Sequence, residues 1–208
     1  MSTICYNDCS RRIDSCQCRK RPSMVKNVIT MYCGSNKTAL CSQQALARAL
    51  LALMEQTPYR EISVSALCRR ADVSRQTFYT LFESKENVLF FALGKDCRYS
   101  CPLPLSRGEA LTALSRGFGR YVVEHAQLIG LLAENDIMPL LRQVLKSSLE
   151  ACKEFTACVQ PALRPFAPDY VAAVLASAAQ TYVREGCALT EAQLSSAICA
   201  LLGGGWML

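Results

Sequence analysis

The stretch that decides the fold runs from residue 59 to residue 89 and reads YREISVSALCRRADVSRQTFYTLFESKENVL. Its pattern predicts two short helices, Ser65–Arg70 and Ser74–Thr80, joined by a tight turn at residues 71–73, which is helix-turn-helix geometry. Asp72 lies where a left-handed backbone would ease the turn, and Asp adopts that conformation more readily than most residues. The apolar residues spaced to form a small core between these helices are Ile62, Val64, Leu67, Val73, Phe78 and Phe82.

The second of these helices carries a set of polar side chains suited to nucleic acid. They are Ser74, Arg75, Gln76, Thr77, Tyr79 and Thr80. Arg bonds guanine through two hydrogen bonds, Gln recognises adenine, and Thr, Tyr and Lys bond phosphate oxygens. The alternative for the polar residues is a solvated helix face without a partner, and for Tyr79 it is a place in the core.

The chain from residue 38 onward has helical apolar spacing interrupted by short breaks. Ser63, Ser74 and Ser84 are placed to cap helices, because a Ser side chain accepts bonds from N–H groups at a helix start. Further helices are predicted at residues 43–55, 84–91, 106–122, 128–133, 139–152, 170–185 and 190–202. No alternating run predicts a strand, so the expected fold class is all-α, with about nine helices.

The run from ISV through LCRRADVSRQTFYTLFESKENVL closely resembles the DNA-binding domain of the TetR/AcrR family of transcriptional regulators. The resemblance implies that Arg75 and Gln76 contact base edges in the major groove. It implies that Thr77, Tyr79 and Lys85 contact phosphates, and it includes Ser74 in the DNA-binding set. The sequence departs from the family at Asp72, where Gly is common, and at Leu81, where His is common. Asp tolerates the left-handed turn, whereas Leu81 removes one possible phosphate contact.

The resemblance and the composition together divide the chain into three parts. Residues 1–36 are expected to be a disordered, basic, cysteine-containing tail, residues 37–85 the helix-turn-helix domain, and residues 86–208 a helical effector-binding and dimerisation domain. The homodimer contact is assigned to the last two helices, residues 168–185 and 191–202, because apolar residues lie on several of their faces. An intramolecular core is the alternative. In a dimer, two recognition helices about 34–36 Å apart would bind one palindromic operator of double-stranded DNA.

The effector of such a regulator would be an unidentified small molecule bound in the C-terminal domain. The residues proposed to line its pocket are Phe91, Phe118, Tyr121, Leu131, Met138, Leu141 and Phe155. The alternative is that these side chains are simply packed in the hydrophobic core, and for any single residue of the set that alternative is favoured.

The formal charge of +6 on the 208 residues is unevenly distributed. Residues 1–37 contain seven basic and two acidic side chains, whereas residues 101–208 contain eight basic and nine acidic ones. A basic N-terminal side favours contact with a polyanion. A chain that started at Met31 would keep 17 basic and 15 acidic residues, so the DNA-binding prediction rests on residue placement rather than on net charge.

Thirteen Cys and one His lack the paired spacing of a zinc site, and no catalytic constellation is visible. The chain is therefore expected to be no enzyme and to need no metal or cofactor. Cys97 and Cys101 are redox candidates, because neighbouring Lys95 and Arg98 would lower a thiol pKa; inert buried thiols are the alternative. With no visible signal peptide and no apolar run of about 18 residues, a cytoplasmic protein without membrane contact is expected.

The expected function is that of a dimeric, sequence-specific transcriptional regulator, a repressor that an effector releases from its operator. One alternative is an effector- or protein-binding module on the same scaffold without an operator of its own. Another is a thiol-based redox-sensing regulator. Since Met24 and Met31 both precede the domain, the sequence leaves open whether residues 1–30 belong to the physiological chain.

Overall fold

The computed structural model describes residues 31–32, 34–94 and 107–203. Within these ranges the chain forms ten α-helices, two short 3-10 turns at Tyr59–Glu61 and Pro161–Leu163, and no β-strand, which confirms the all-α class. The helices are α1 Lys37–Met54, α2 Val64–Ala71, α3 Arg75–Leu81, α4 Lys85–Gly94, α5 Arg107–Glu124, α6 Ala126–Glu134, α7 Met138–Ala151, α8 Lys153–Cys158, α9 Ala167–Arg184 and α10 Glu191–Gly203.

Helices α1 to α3 begin where a short polar side chain caps them. Asn36, Ser63 and Ser74 each accept a hydrogen bond from a backbone N–H two or three residues further on, at 2.9–3.1 Å. Asp72 ends α2 with a φ of 53°, so the predicted left-handed turn is confirmed. Side chains from α1, α2 and α3 and from the segment that follows α3 meet in one completely buried cluster, which contains Leu46, Leu50, Leu67, Phe78 and Phe82.

The C-terminal helices pack in pairs, α5 along α10 and α7 along α9. Gly119 in α5 is required for the first pairing, because a Cβ there would overlap the Ser195 hydroxyl and lie 3.3 Å from the Ser195 backbone nitrogen. Helix α9 buries a face of small residues that includes Ala172, Ala176 and Ala179. Tyr170 lies outside this face and is 59% exposed. Small side chains allow the neighbouring helix to approach closely, so they form the inner face.

Several boundaries differ from the sequence expectation. Helix α1 begins at Lys37 instead of Gln43, α9 begins at Ala167 instead of Tyr170, and the separate short helix α8 was not predicted. The sequence spacing predicts capping boxes at Ser106-x-x-Glu109 and Thr190-x-x-Gln193. The second is confirmed, since Gln193 Oε1 accepts from the Thr190 N–H at 2.9 Å. The capping box at Ser106 lies outside the described residues. Among the described helices, none combines the length and apolar character that crossing a bilayer requires.

Candidate nucleic-acid interface

Helix α3 has one apolar face in the core and one polar face in solvent. Phe78 and Leu81 are buried, whereas Arg75 and Gln76 are exposed and Tyr79 is 52% exposed. The inner face fixes the position of the helix, so the outer side chains extend from a rigid element. The structure therefore brings the sequence-predicted residues Arg75, Gln76 and Tyr79 together on one accessible surface.

Ser74 and Thr77 lie in the first turn of this surface and bond to each other. Ser74 Oγ accepts the Thr77 N–H at 3.0 Å and lies 2.8 Å from Thr77 Oγ1. The Ser74 hydroxyl therefore caps α3, and this contact fixes the direction in which the helix leaves the turn. One turn later, the Thr80 hydroxyl donates to the Gln76 carbonyl at 2.9 Å.

Lys85 is directed toward protein carbonyl groups. Its Nζ donates to the carbonyl oxygens of Tyr59 at 2.9 Å and Ile62 at 2.5 Å, and it lies 4.5 Å from the centre of the Tyr59 ring. An ammonium group has three N–H donors, so one remains for another acceptor such as a phosphate oxygen. Lys85 thus connects the first turn of α4 to the segment before α2.

Tyr59 is the centre of a junction that sequence reasoning missed. Its hydroxyl donates to Glu86 at 2.9 Å, and its backbone N–H donates to Asn135 Oδ1 at 2.6 Å. Burial, and next the bond to Glu86, raise the pKa of the Tyr59 hydroxyl far above its usual range. Asn135 follows α6 and is 76 residues away in sequence, so no local pattern indicates the contact. The junction connects the helix-turn-helix to the C-terminal helices.

The charges near the ends of the first three helices favour an anion. The first turns of α1, α2 and α3, all within the described ranges, contain no acidic residue. Lys37 lies at the start of α1 and Arg75 at the start of α3, where the helix dipole already attracts negative charge. These two exposed cations lie at the positive ends of their helix dipoles, which is unfavourable, and a polyanion nearby would stabilise them.

The residues predicted to line an effector pocket lie mostly in the packed interior. Phe118, Tyr121, Leu131, Met138 and Leu141 are buried, while Phe91 and Phe155 are half-buried. The Tyr121 hydroxyl donates to the Leu93 carbonyl at 3.1 Å, which joins α5 to the last turn of α4. An open cleft of about 360 Å³ between α7 and α9 has Met138 in its wall together with Arg142 and Gln180.

A larger apolar groove of about 910 Å³ lies on the outer side of α9 and α10. Tyr170, Val174, Leu194 and Leu201 are among its lining residues. Tyr170 is strongly exposed, and Leu201 is 40% exposed. This groove coincides with the last two helices, to which the sequence assigned the dimer contact.

The cysteines of the described residues show no metal site. No disulfide joins the thiols of Cys41, Cys68, Cys152, Cys158, Cys187 and Cys199, and no group of three possible metal ligands occurs in the described ranges. Burial raises the pKa of the Cys68 thiol against the opposing charge of Arg75, and a raised pKa disfavours the reactive thiolate. The redox candidates Cys97 and Cys101 lie outside the described residues.

Comparison with known proteins finds a relative that matches part of the chain. Over 60 residues the chain is 35% identical to the HTH-type dhaKLM operon transcriptional activator DhaS of Lactococcus lactis subsp. lactis strain IL1403. That match covers 29% of this chain and 32% of the relative, so it spans about a third of the relative's length.

Solved structures resemble the chain over most of its length. The fatty acid degradation regulator FadR from Bacillus halodurans superimposes with a TM-score of 0.58 at 17% identity, covering 84% of this chain and 98% of that one. A TetR transcriptional regulator from Streptococcus agalactiae 2603V gives a TM-score of 0.47 at 18% identity, covering 79% and 95%. At this identity the likeness to FadR concerns the fold.

The helix-turn-helix itself matches a family model. Residues 46–92, which contain the second half of α1, all of α2 and α3 and most of α4, match the profile described as bacterial regulatory proteins, tetR family. The matched range contains the cap at Ser74, the left-handed Asp72 and the polar face of α3. Residues 46–92 of this chain are therefore similar to the helix-turn-helix domain of the tetR family of bacterial regulatory proteins.

Proposed function

We propose that the protein is a homodimeric, sequence-specific DNA-binding regulator of transcription. The observation that carries the proposal is the exposed polar face of α3, held by a buried inner face and a Ser74 cap. In this proposal Arg75 and Gln76 contact base edges, and Ser74, Thr77, Tyr79 and Lys85 position the helix on the phosphates. Residues 37–85 form the DNA-binding domain, and residues 86–208 bind the effector and the second subunit.

The groove along α9 and α10 supports the homodimer. It presents exposed apolar side chains, including Tyr170 and Leu201, and an exposed apolar patch on a folded protein marks an interaction surface. A second copy offers the same two helices, so a twofold contact would bury both apolar surfaces. The result is a pair of recognition helices suited to a palindromic site.

The dimer is tested by placing a charge in the groove. Tyr170→Glu combined with Leu201→Glu should convert the dimer into a monomer in sedimentation equilibrium, because a carboxylate is costly to bury at an apolar contact. The control is Leu163→Glu, since Leu163 is 49% exposed but does not line the groove. A double variant that sediments as the wild type does would exclude this surface.

The effector proposal rests on the contact between α5 and α4. A small molecule among Phe91, Phe118, Tyr121 and the other predicted pocket residues would move Tyr121, whose hydroxyl bonds the end of α4 at Leu93. Helix α4 begins at Lys85, next to the recognition helix, so its displacement would change the spacing of the two recognition helices. A ligand that binds the displaced state better thereby lowers operator affinity.

The direction of regulation has two candidates. Release from the operator by an effector corresponds to a repressor, which is the direction that we propose first. Activation is the second, because the L. lactis relative that matches over 60 residues is named a transcriptional activator. Transcription in vitro from a promoter that carries the selected site, with and without the protein, distinguishes them by the sign of the change.

The DNA-binding proposal is tested by selection from a pool of randomised duplexes. The chain should enrich a palindromic sequence. Arg75→Ala or Gln76→Ala should then weaken binding by about 5- to 150-fold and relax the preference at one position of each half-site. The charge-matched control is Arg116→Ala, an exposed arginine on α5. If Arg75→Ala and Arg116→Ala bind alike, or if no sequence is enriched, the module without an operator becomes the better-supported function.

A further inference from the structure

The cleft of about 360 Å³ between α7 and α9 is lined by charged and polar side chains. Pockets that hold small molecules have volumes of about 300–1,000 Å³, so this one is large enough for a small ligand. Four of its lining residues are polar, namely Asp136, Arg142, Ser177 and Gln180. The others are apolar and include Met138, the one residue that the cleft shares with the predicted effector pocket. The cleft is therefore a separate candidate site.

Arg142 is held at one end of the cleft by an ion pair with α9. Its Nη2 donates to Asp169 Oδ2 at 2.7 Å, and Lys146 Nζ lies 3.6 Å from the other oxygen of the same carboxylate. Two cations thus share one carboxylate, which leaves a positive charge in excess at this end. A guanidinium has five N–H donors, and Asp169 accepts from one of its nitrogens. Arg142 therefore keeps donors for a carboxylate placed in the cleft.

The other end of the cleft carries a negative charge. Gln180 lies about 16 Å beyond Asp169 along α9, at about 1.5 Å per residue. Since Arg142 is beside Asp169 and the two helices pack side by side, Gln180 lies at the end formed by Asp136, just before α7. Within the described ranges, no ion pair or hydrogen bond engages the Asp136 carboxylate, and the Gln180 amide has no protein partner. Both groups are therefore available to a ligand.

The wall between the two charged ends is mostly apolar. Met138 and Ala176 are buried, and they line the cleft together with Pro139 and Ala173. Small side chains on α9 leave the space open, because they do not reach α7. A hydrocarbon chain fits this part of the cleft, since it loses no hydrogen bonds to water there.

We propose that the cleft binds a small amphoteric molecule whose carboxylate and ammonium groups are separated by a short hydrocarbon chain. Arg142 donates to the carboxylate, whereas the Asp136 carboxylate and the Gln180 carbonyl oxygen accept from the ammonium group. A molecule with a single charge leaves one end of the cleft unpaired, and a dicarboxylate places a second negative charge beside Asp136. An α-amino acid fits less well, because its two charges are adjacent and cannot reach both ends.

The test is an NMR titration of the full chain with three probes in the absence of DNA. The probes are ε-aminocaproate, which carries both charges on one hydrocarbon chain, and caproate and hexylamine, which carry one charge each. ε-Aminocaproate should shift the side-chain amide signals of Gln180 and bind at least about tenfold more tightly than either single-charge probe, because each of those loses one charge-assisted contact. Glycine should bind as weakly as the single-charge probes.

Variants assign each charge of the ligand to one end of the cleft. Arg142→Met should weaken binding of ε-aminocaproate and caproate by about tenfold and leave hexylamine unchanged, whereas Asp136→Asn should weaken ε-aminocaproate and hexylamine. The matched control is Lys146→Met, which removes a cation from the same Asp169 carboxylate one turn further along α7 but does not line the cleft. It should bind ε-aminocaproate as the wild type does.

Three results would overturn the site. They are equal affinities of Arg142→Met and Lys146→Met for ε-aminocaproate, binding of a single-charge probe as tight as that of ε-aminocaproate, and absence of any change at Gln180. Because the titration contains no DNA, such a failure leaves the proposed regulation of transcription unaffected. Failure to enrich an operator would likewise leave the cleft unaffected.

Discussion

Lys85 provides a direct test of whether a predicted phosphate contact also holds the domain together. Its Nζ donates to the carbonyls of Tyr59 and Ile62 and lies over the Tyr59 ring. A hydrogen bond from a charged group contributes about 1.5–3 kcal/mol, and an exposed cation–π contact about 0.5–1 kcal/mol. Because Lys85 is half-exposed, water replaces part of these interactions when the side chain is changed. We therefore expect Lys85→Met to lower the free energy of unfolding by about 2–4 kcal/mol. For a chain of this size that lowers the Tm by roughly 10 °C.

The measurement is urea unfolding at one fixed protein concentration, since association contributes to apparent stability. Arg75→Met is the control, because it removes the same charge from an exposed position on α3 and should change stability by no more than about 0.5 kcal/mol. The two variants should therefore differ in urea midpoint while both weaken DNA binding. Equal midpoints would refute the reasoning and leave Lys85 as a surface phosphate contact.

Three further predictions concern the turn, a helix contact and the Tyr59 junction. In urea unfolding, Asp72→Gly should leave the free energy of unfolding unchanged, whereas Asp72→Val should lower it by about 1–2 kcal/mol. Equal free energies of unfolding for the two variants would contradict a left-handed turn. Gly119→Val should cost about 1–3 kcal/mol by overlap with Ser195, and Ser195→Gly should recover part of that stability in thermal unfolding. Burial alone would raise the pKa of Glu86, but hydrogen bonds that include the one from Tyr59 outweigh it and hold that pKa below its ordinary value. A carboxyl group whose pKa is lower in the folded than in the unfolded state stabilises the fold at pH values above the unfolded-state pKa, and this stabilisation is lost as the pH falls through the folded-state pKa. Tyr59→Phe should therefore lower the free energy of unfolding by about 1–2 kcal/mol near pH 7 and by less below about pH 4. A cost that is the same at both pH values would mean that the Glu86 charge is not involved.

Features specified by neighbouring residues were predictable from the sequence. The caps at Ser63, Ser74 and Thr190 each depend on a side chain and a backbone group within three residues, and all are present. The left-handed Asp72 follows from the shortness of the turn and the tolerance of Asp. The helical class follows for the same reason, because helix hydrogen bonds join residues four apart.

Features that depend on distant residues were not predictable. Asn135 bonds Tyr59 across 76 positions, and Gln43 holds a backbone carbonyl that lies outside every helix. The apolar residues of α9 cover more than one face, so their periodicity does not say which face is inward. Packing against α7 determines which face of α9 is buried: the alanines lie inward and Tyr170 lies on the exposed side.

The distribution of charge suggests separate sources for specificity and affinity. From Met31 onward the chain has 17 basic and 15 acidic residues, so the folded part supplies little general attraction for a polyanion. Base recognition needs few charges, because direction and distance of hydrogen bonds distinguish one base from another. Attraction to the duplex instead grows with the number of phosphates neutralised. The specificity proposed for this chain therefore rests on the exposed side chains of Arg75 and Gln76 on α3, and hardly on its net charge.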